Sequence, residues 1–139
     1  MNDELSEFLI AGIIGLSGWF FGGLDGFFKV LLACAAADYI TGIFRGGSEG
    51  KISSKIAFEG IKRKVTMFFF VGLANIIDKE MLNNSAALKT AVCLFYIGNE
   101  GISIVENAEK LGLPIPKFLR GKFLNFAEEQ KTQAQSKTS

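Results

Sequence analysis

Uncharged apolar segments alternate with short charged ones along most of the chain. Seventeen residues from Phe8 to Leu24 carry no charge, and thirteen more from Val65 to Ile77 carry none. Two further apolar segments run from Phe27 to Phe44 and from about Ala87 to Leu111. A helix rises about 1.5 Å per residue, so roughly 20 such residues cross the hydrocarbon core of a bilayer. The pattern predicts an all-α integral membrane protein with about four transmembrane helices.

The connections between these segments predict amphipathic surface helices. In the polar connection from Arg45 to Lys64, the pair Ser53 and Ser54 has the composition of a helix N-cap, and isoleucines near helical spacing flank it. This arrangement predicts a short helix along the membrane surface. Gly112 and the prolines after it end the fourth segment, and a second amphipathic stretch follows from Lys117 to about Glu129.

The two ends of the chain differ from its apolar middle. The start, from Met1 to Glu7, has no basic region ahead of the first apolar segment, so we expect no cleaved signal peptide. The last ten residues hold too little apolar surface to fold alone. We therefore expect a single transmembrane domain over residues 1–126 and a polar, disordered cytoplasmic tail over residues 127–139.

Basic residues are divided unequally between the two sets of connections. Of the fifteen Lys and Arg residues, six lie from Arg45 to Lys64 and six from Lys110 onward, which leaves three for the opposite side. Loops on the cytoplasmic side of a membrane carry an excess of Lys and Arg. With four spans, both termini are then cytoplasmic, whereas a three-span alternative with a partly re-entrant first region places the N-terminus outside. We expect a topogenic or lipid-headgroup role for three consecutive residues: Lys62, Arg63 and Lys64.

The composition excludes several kinds of chemistry. The chain has no His, and Cys34 and Cys93 each stand alone inside an apolar segment. The usual nitrogen and thiolate metal sites and the Cys–His and Ser–His nucleophile pairs are therefore absent, and we expect no enzyme, no metal and no cofactor. The net charge of +1 also argues against general nucleic-acid binding.

Polar residues interrupt two of the predicted spans. An ionised Asp38 facing hydrocarbon costs about 2.5 kcal/mol or more, so we expect it to face protein or water. The fourth segment carries a polar stripe at three- and four-residue steps: Asn99, Ser103, Glu106 and Lys110. Either this helix leaves the membrane near Glu100 and the stripe is merely wet, or the stripe faces other helices or a lumen. The candidate assembly or lumen residues are Asp38, Asn99, Glu100, Ser103, Glu106 and Asn107.

Small residues mark two candidate faces for helix packing. Gly18 and Gly22 form a G-x-x-x-G motif, a spacing that lets two helix backbones approach closely in lipid. The alternative is that these glycines only provide flexibility or a turn at Gly22 and its neighbour. Ala33 and Ala37 lie one turn apart beside the carboxylate of the second span, which also suits close packing.

Four motifs follow one another in a defined order: Asp38 to Gly42, Ser53 to Lys64, Asn99 to Asn107, and Gly112 to Pro116. In that order and spacing, the chain resembles the phage lysis and toxin-secretion holin family of Gram-positive bacteria and their phages. The resemblance covers roughly Leu31 to Leu124 and leaves the first span and the tail outside.

The resemblance implies a multi-pass protein of the bacterial host's cytoplasmic membrane that oligomerises. At a set time such a protein opens lesions through which an endolysin, or in some relatives a toxin, leaves during host cell lysis. The implied partners are the bilayer, further copies of the chain, and an endolysin or toxin that it does not bind directly. Two other classes remain open. One is a small ion channel or transporter subunit that uses Asp38 and Glu100, and the other is a membrane anchor whose basic loop recruits a partner.

The unequal division of basic residues makes the orientation testable. A reporter that is active only in the cytoplasm should work when it is fused after Ser139 and should fail when it is inserted at Asn84. Enzyme activity in intact bacteria measures both. An active insertion at Asn84 would contradict the four-span orientation.

Overall fold

The computed structural model describes residues 2–138 as five helices in succession. They are α1 (Asp3–Phe21), α2 (Gly26–Ser48), α3 (Ser54–Met81), α4 (Ala87–Lys110) and α5 (Lys117–Thr138). The described part of the chain contains no strand. The all-α prediction is therefore confirmed.

Three of these helices are long and apolar enough to cross a membrane, judged by length and composition: α1, α2 and α4. Helix α3 is not among them. Its uncharged stretch, Val65 to Ile77, has thirteen residues between charged triplets, which is about 20 Å of helix. A fourth span therefore stays a prediction.

The predicted surface helix and the predicted third span form one continuous helix, α3. Its N-cap is the predicted one, because the Ser53 hydroxyl accepts a hydrogen bond of 3.2 Å from the Ile56 N–H. No proline interrupts the sequence that follows. Its two glycines, Gly60 and Gly72, lie against aromatic rings of α2 and α1, where a larger side chain would collide or crowd. The prediction of a separate surface helix is therefore wrong, because the helix that Ser53 caps continues without a break through the predicted third span.

Helix α4 packs most extensively, against α2, α3 and α5. Helices α2, α3 and α4 share one apolar core, which consists of Phe28, Leu31, Ala35, Met67, Val71, Cys93 and Ile97. Helix α1 differs from the others, because none of its residues is buried. Its Phe21 ring packs against the Phe28 ring of α2, with the centroids 5.0 Å apart, and its main contact is with α3. That contact lies at the end of α1, where the Asn75 amide donates a hydrogen bond of 2.9 Å to the Phe20 carbonyl.

The turn between α3 and α4 is held by a buried carboxylate. Asp78 is 1% exposed and accepts hydrogen bonds from the backbone N–H groups of Leu88 (3.0 Å) and Lys89 (2.8 Å). The N-cap of α4 is Ala86, which has no side-chain oxygen. Asp78, which belongs to α3, therefore accepts hydrogen bonds from N–H groups at the start of α4 that have no partner within α4 itself.

An ion pair joins α2 to α4 at the same end of the bundle. Asp25 caps α2 through the Phe28 N–H (2.8 Å) and lies 3.0 Å from the ammonium of Lys89, which is buried. Partial burial raises the pKa of the Asp25 carboxyl, but the Phe28 N–H and the Lys89 ammonium outweigh it and hold that pKa below its ordinary value. Asp25, Asp78 and Lys89 together form the Lys89 cluster.

Helix α5 runs antiparallel along α4. Its Arg120 lies 3.6 Å from Glu106 near the C-terminal end of α4, and its Lys131 lies over the Phe95 ring, 5.8 Å from the centroid. The predicted tail is the second half of this helix, which the structure continues to Thr138. No proline or glycine ends the helix after residue 121, and Ala127 is buried against α4. The division into a domain over 1–126 and a tail over 127–139 stays a prediction.

The cap that Asp78 provides makes the α3–α4 turn sensitive to one substitution. Asp78→Ala should lower the free energy of unfolding by about 1–2 kcal/mol, the usual loss when a helix cap is removed. Glu80→Ala is the matched control, because Glu80 is exposed two residues away. Circular dichroism during denaturation in detergent micelles measures both, and equal losses would argue against the cap.

Candidate functional site

Helices α2, α3 and α4 each bring one charged side chain to a common point. The Lys64 ammonium lies 2.8 Å from Asp38 Oδ2 and 2.5 Å from Glu100 Oε2. The exposed fraction of the three side chains is 18%, 16% and 15% respectively. We call these three residues the ion-pair cluster. Lys64 lies 26 positions after Asp38 and 36 positions before Glu100, so the cluster exists only in the folded bundle.

The Asn107 side chain extends the ion-pair cluster toward the end of α2. Asn107 is 5% exposed, and its amide donates hydrogen bonds of 3.1 Å to Asp38 Oδ1 and to the Thr41 hydroxyl. Its carbonyl oxygen accepts one of 3.3 Å from the Arg45 guanidinium. Asn107 therefore bridges a carboxylate and a cation that do not touch each other.

The ion-pair cluster holds two carboxylates and one ammonium, so its formal charge is −1. A charge or polar group out of water is costly unless a partner satisfies it. Among the described residues, no buried side-chain nitrogen or oxygen lacks a hydrogen-bond partner. The buried polar side chains of the spans thus have partners inside one copy of the chain.

A cavity of about 540 Å³ lies between α2, α3 and α4 beside the ion-pair cluster. Asn99 and Ser103 of α4, Tyr39 of α2 and Arg63 of α3 contribute to its wall. A space of this size with this many donors and acceptors suits water, because a buried water molecule needs two to four polar partners.

The structure divides the predicted polar residues of α4 between two sides. Glu100 shares the Lys64 ammonium with Asp38, Asn107 donates a hydrogen bond to Asp38, and Asn99 and Ser103 line the cavity. Glu106 instead is exposed and faces α5, and Lys110 is exposed as well. The stripe therefore does not form a single surface within one copy.

The residues that the sequence predicts for helix packing also have different surroundings in the structure. Gly18 has an open side, with nothing within 4 Å of an added Cβ. Gly22 ends α1 in the left-handed region (φ +72°) and lies against the Asn75 side chain, so within one copy it serves the turn. In α2, Ala33 is exposed and Ala37 half-buried. The small residue that the core buries there is Ala35, which the sequence interpretation did not single out. A role in assembly stays a prediction for this set.

The three basic residues before the third predicted span have three different surroundings. Lys62 pairs with Glu59 at 2.9 Å on the surface, Arg63 is exposed beside the cavity, and Lys64 enters the ion-pair cluster. Sequence reasoning missed this last contact because it treated the triplet as one topogenic unit. The signal was the helical phase, since Lys64 precedes the buried Met67 and Val71 by three and seven residues. The topogenic role itself stays a prediction.

Sequence reasoning also missed the Lys89 cluster. Each of its residues lies beside the end of an apolar segment, where a charge is expected to meet solvent or lipid headgroups. The described part of the chain contains no group of three or more His, Cys, Asp or Glu residues able to hold a metal.

The shared ammonium makes Lys64 the most sensitive position of this site. Lys64→Met should lower the free energy of unfolding by about 3 kcal/mol, because two carboxylates then stay largely buried without a cation. Lys62→Met is the matched control, since an exposed ion pair contributes about 1 kcal/mol or less.

Adding Asp38→Asn and Glu100→Gln to Lys64→Met should restore most of the lost stability. Denaturation in detergent micelles, followed by circular dichroism, measures all of these variants. A Lys64→Met protein as stable as Lys62→Met would show that the cluster contributes nothing to the fold.

Comparison with known proteins gives several relatives of similar length. The chain is 38% identical to the uncharacterized protein Lmo0128 of Listeria monocytogenes, over 89% of this chain and 88% of the relative. It is 36% identical to the uncharacterized protein YqxH of Bacillus subtilis, over 85% and 82%. It is 33% identical to an uncharacterized 14.9 kDa protein in the nagH 3′ region of Clostridium perfringens, over 85% and 92%. No solved structure matches the chain.

The family comparison covers most of the molecule. Residues 15–128 match the bacteriophage holin family, a stretch that includes the last turns of α1, all of α2, α3 and α4, and the first half of α5. All three residues of the ion-pair cluster lie within it. With its three apolar helices, the chain is a membrane protein that belongs to the bacteriophage holin family.

Proposed function

We propose that this protein acts as a holin in the cytoplasmic membrane of a bacterial host. Copies accumulate, oligomerise and open lesions through which an endolysin, or a secreted toxin, leaves the cytoplasm. The observation that carries this proposal is the match to the bacteriophage holin family over residues 15–128. The released enzyme depends on the lesion but does not need to bind the chain.

The size of the chain supports an assembly. One copy offers three or four helices long enough to approach both membrane surfaces, and its α2, α3 and α4 are already packed around a shared core. Such a bundle does not enclose an opening wide enough for a folded enzyme. A wide lesion therefore requires many copies arranged as a ring or raft.

Four spans with both termini in the cytoplasm agree best with the division of basic residues. In that arrangement the ion-pair cluster lies toward the cytoplasmic side and the Lys89 cluster toward the outside. The basic residues Lys62 and Arg63 then lie near the lipid headgroups of the cytoplasmic leaflet.

The satisfied polar groups suggest how a closed state is maintained. Within one copy the Lys64 ammonium neutralises part of the charge on Asp38 and Glu100, so single copies are tolerated in lipid. When copies assemble, Asn99, Ser103 and Asn107 become available to line a wetted lumen. The transition is a shift between two arrangements, which accumulation of protein favours.

The cavity beside the ion-pair cluster favours a second candidate function, a small ion channel or transporter subunit. Two carboxylates at such a cavity are a usual feature of cation pathways. The Lys64 ammonium, however, already occupies the position between them. The two candidates differ in the size of what they release.

Vesicles loaded with both a small dye and a folded protein separate these functions. A holin that assembles by nucleation should show a lag that shortens steeply with protein density, followed by abrupt release of both cargoes. A channel should release dye from the start, in proportion to the amount of protein, and retain the folded cargo. Fluorescence of the two cargoes measures both. Graded dye loss with full protein retention would contradict the holin proposal, and vesicles that stay tight at every density would contradict both.

A further inference from the structure

Helix α5 occupies a notch in α4 that two glycines create. At Gly98, an added Cβ would lie 2.7 Å from the Ala127 nitrogen and 2.7 Å from the Phe123 carbonyl oxygen. A Cβ added at Gly101 would collide with the Phe123 ring. We call Gly98 and Gly101 the glycine notch. The two backbones approach at contact distance here, so the notch accepts a helix.

The helix that fills the notch is poorly suited to lipid. Ala127 lies at Gly98, twelve residues into the 24-residue α4, and the residues that follow it run further along the span. Glu128, Glu129 and Lys131 are all exposed there. With α4 across a bilayer, these charges would face hydrocarbon, which is strongly unfavourable. Docking of α5 along a span therefore carries a cost in free energy that an apolar helix in the same notch would not carry.

The surface of the bundle continues as an apolar groove beyond the part of the notch that α5 covers. This groove has a volume of about 380 Å³ and lies between α3 and α4, with Leu73 and Ile77 on one wall and Leu88 and Phe95 on the other. Gln130 and Lys131 of α5 reach its edge, and the residues described after them are exposed. The groove is apolar, whereas the part of α5 that reaches it is polar. An apolar helix would therefore fit the full length of the groove better than α5 does.

Helix α1 has the properties that the notch and the groove require. It is apolar and uncharged from Phe8 onward, and none of its residues is buried within its own copy. Ala11, Gly15 and Gly18 share one face by helical spacing, and neither glycine has a neighbour within 4 Å of an added Cβ. This face allows close approach to another helix.

The direction of α1 is also correct. The end of α1 lies at the same end of the bundle as the start of α4, since Asn75 binds the Phe20 carbonyl near the α3–α4 turn. Helix α1 is therefore antiparallel to α4, as α5 is. Copies inserted in the same orientation thus present α1 to the α4 of a neighbour in the direction that α5 takes.

The positions along the two helices correspond as well. At 1.5 Å per residue, Gly12 lies about 15 Å along α1 from Gly22, and Gly98 lies about 14 Å along α4 from Lys89. Gly12 of one copy therefore lies level with Gly98 of the next. By the same measure, Gly15 lies level with Phe95.

We propose that the α4 surface formed by the glycine notch and the α3–α4 groove binds α1 of a second copy, and that α5 masks this surface until α1 replaces it. This inference rests on the assembly that the proposed function requires, and it names the two surfaces that meet. A copy whose α5 is docked is closed to a neighbour, and release of α5 makes it competent to assemble.

Disulfide cross-linking between two differently tagged copies tests the contact. The full-length protein carries Cys34→Ala and Cys93→Ala, with Gly15→Cys in one tagged copy and Phe95→Cys in the other. Oxidation of membranes that contain both should give a heterodimer carrying both tags. Leu32→Cys is the matched partner for Phe95→Cys, because Leu32 is exposed on α2 at a similar depth.

The outcomes of the cross-linking are distinct. Heterodimer at Phe95 several-fold above Leu32 supports the inference. If the protein oligomerises and releases folded cargo while the two positions cross-link equally, the inference is overturned and the proposed function stands. If the unsubstituted protein neither oligomerises nor releases cargo, the proposed function fails and the inference fails with it.

Charge reversal tests the masking role of α5. Arg120 lies 3.6 Å from Glu106 and 3.7 Å from Glu109, so Arg120→Glu should repel α5 from α4 and shorten the lag before release at least twofold. Adding Glu106→Arg and Glu109→Arg should restore the lag. Lys122→Glu is the control, since Lys122 is exposed on α5 and makes the same change in charge. An unchanged lag in Arg120→Glu, or an equal change in Lys122→Glu, overturns the masking role.

Discussion

Hydrocarbon offers no partner for a charged group, so every charge inside the bundle must find one within the protein. The Lys64 ammonium meets this requirement for two carboxylates at once, and each of the three groups belongs to a different helix. The same contact that neutralises Asp38 and Glu100 therefore fixes how α2, α3 and α4 lie relative to one another. The apolar core holds these helices together, and the shared cation adds a directional contact that favours one register among them.

Local features of the fold follow directly from the sequence, and pairings between distant residues do not. The Ser53 cap and the all-helical class depend on neighbouring residues alone, which is why they are predictable. The partner of Asp38 is not, because Lys64 and Glu100 become neighbours only through packing. The phase of Lys64 on the buried face of α3 contained this information, but its position in a basic triplet suggested a simpler role.

The packing of α5 against α4 also could not be predicted from the sequence. The composition of its second half predicts disorder, because few of its residues are apolar. In the structure the helix continues along α4, where Ala127 fits against Gly98. A glycine that appears unremarkable within an apolar segment thus decides which helix can approach. Its partner lies across a short connection whose geometry the sequence does not specify.

The Lys89 cluster and the ion-pair cluster are close together for the ends of membrane helices. Asp38 lies thirteen positions after Asp25, Asp78 lies fourteen after Lys64, and Glu100 lies eleven after Lys89. At 1.5 Å per residue, the apolar band between the clusters is only about 17–21 Å thick. A bilayer core is about 30 Å thick, so in the proposed four-span arrangement a thinner bilayer around the bundle would bring both clusters nearer to the headgroups. Neighbouring copies that share one thinned patch deform less lipid than separate copies do. For copies that assemble as proposed, membrane elasticity would then favour their approach before any two helices touch.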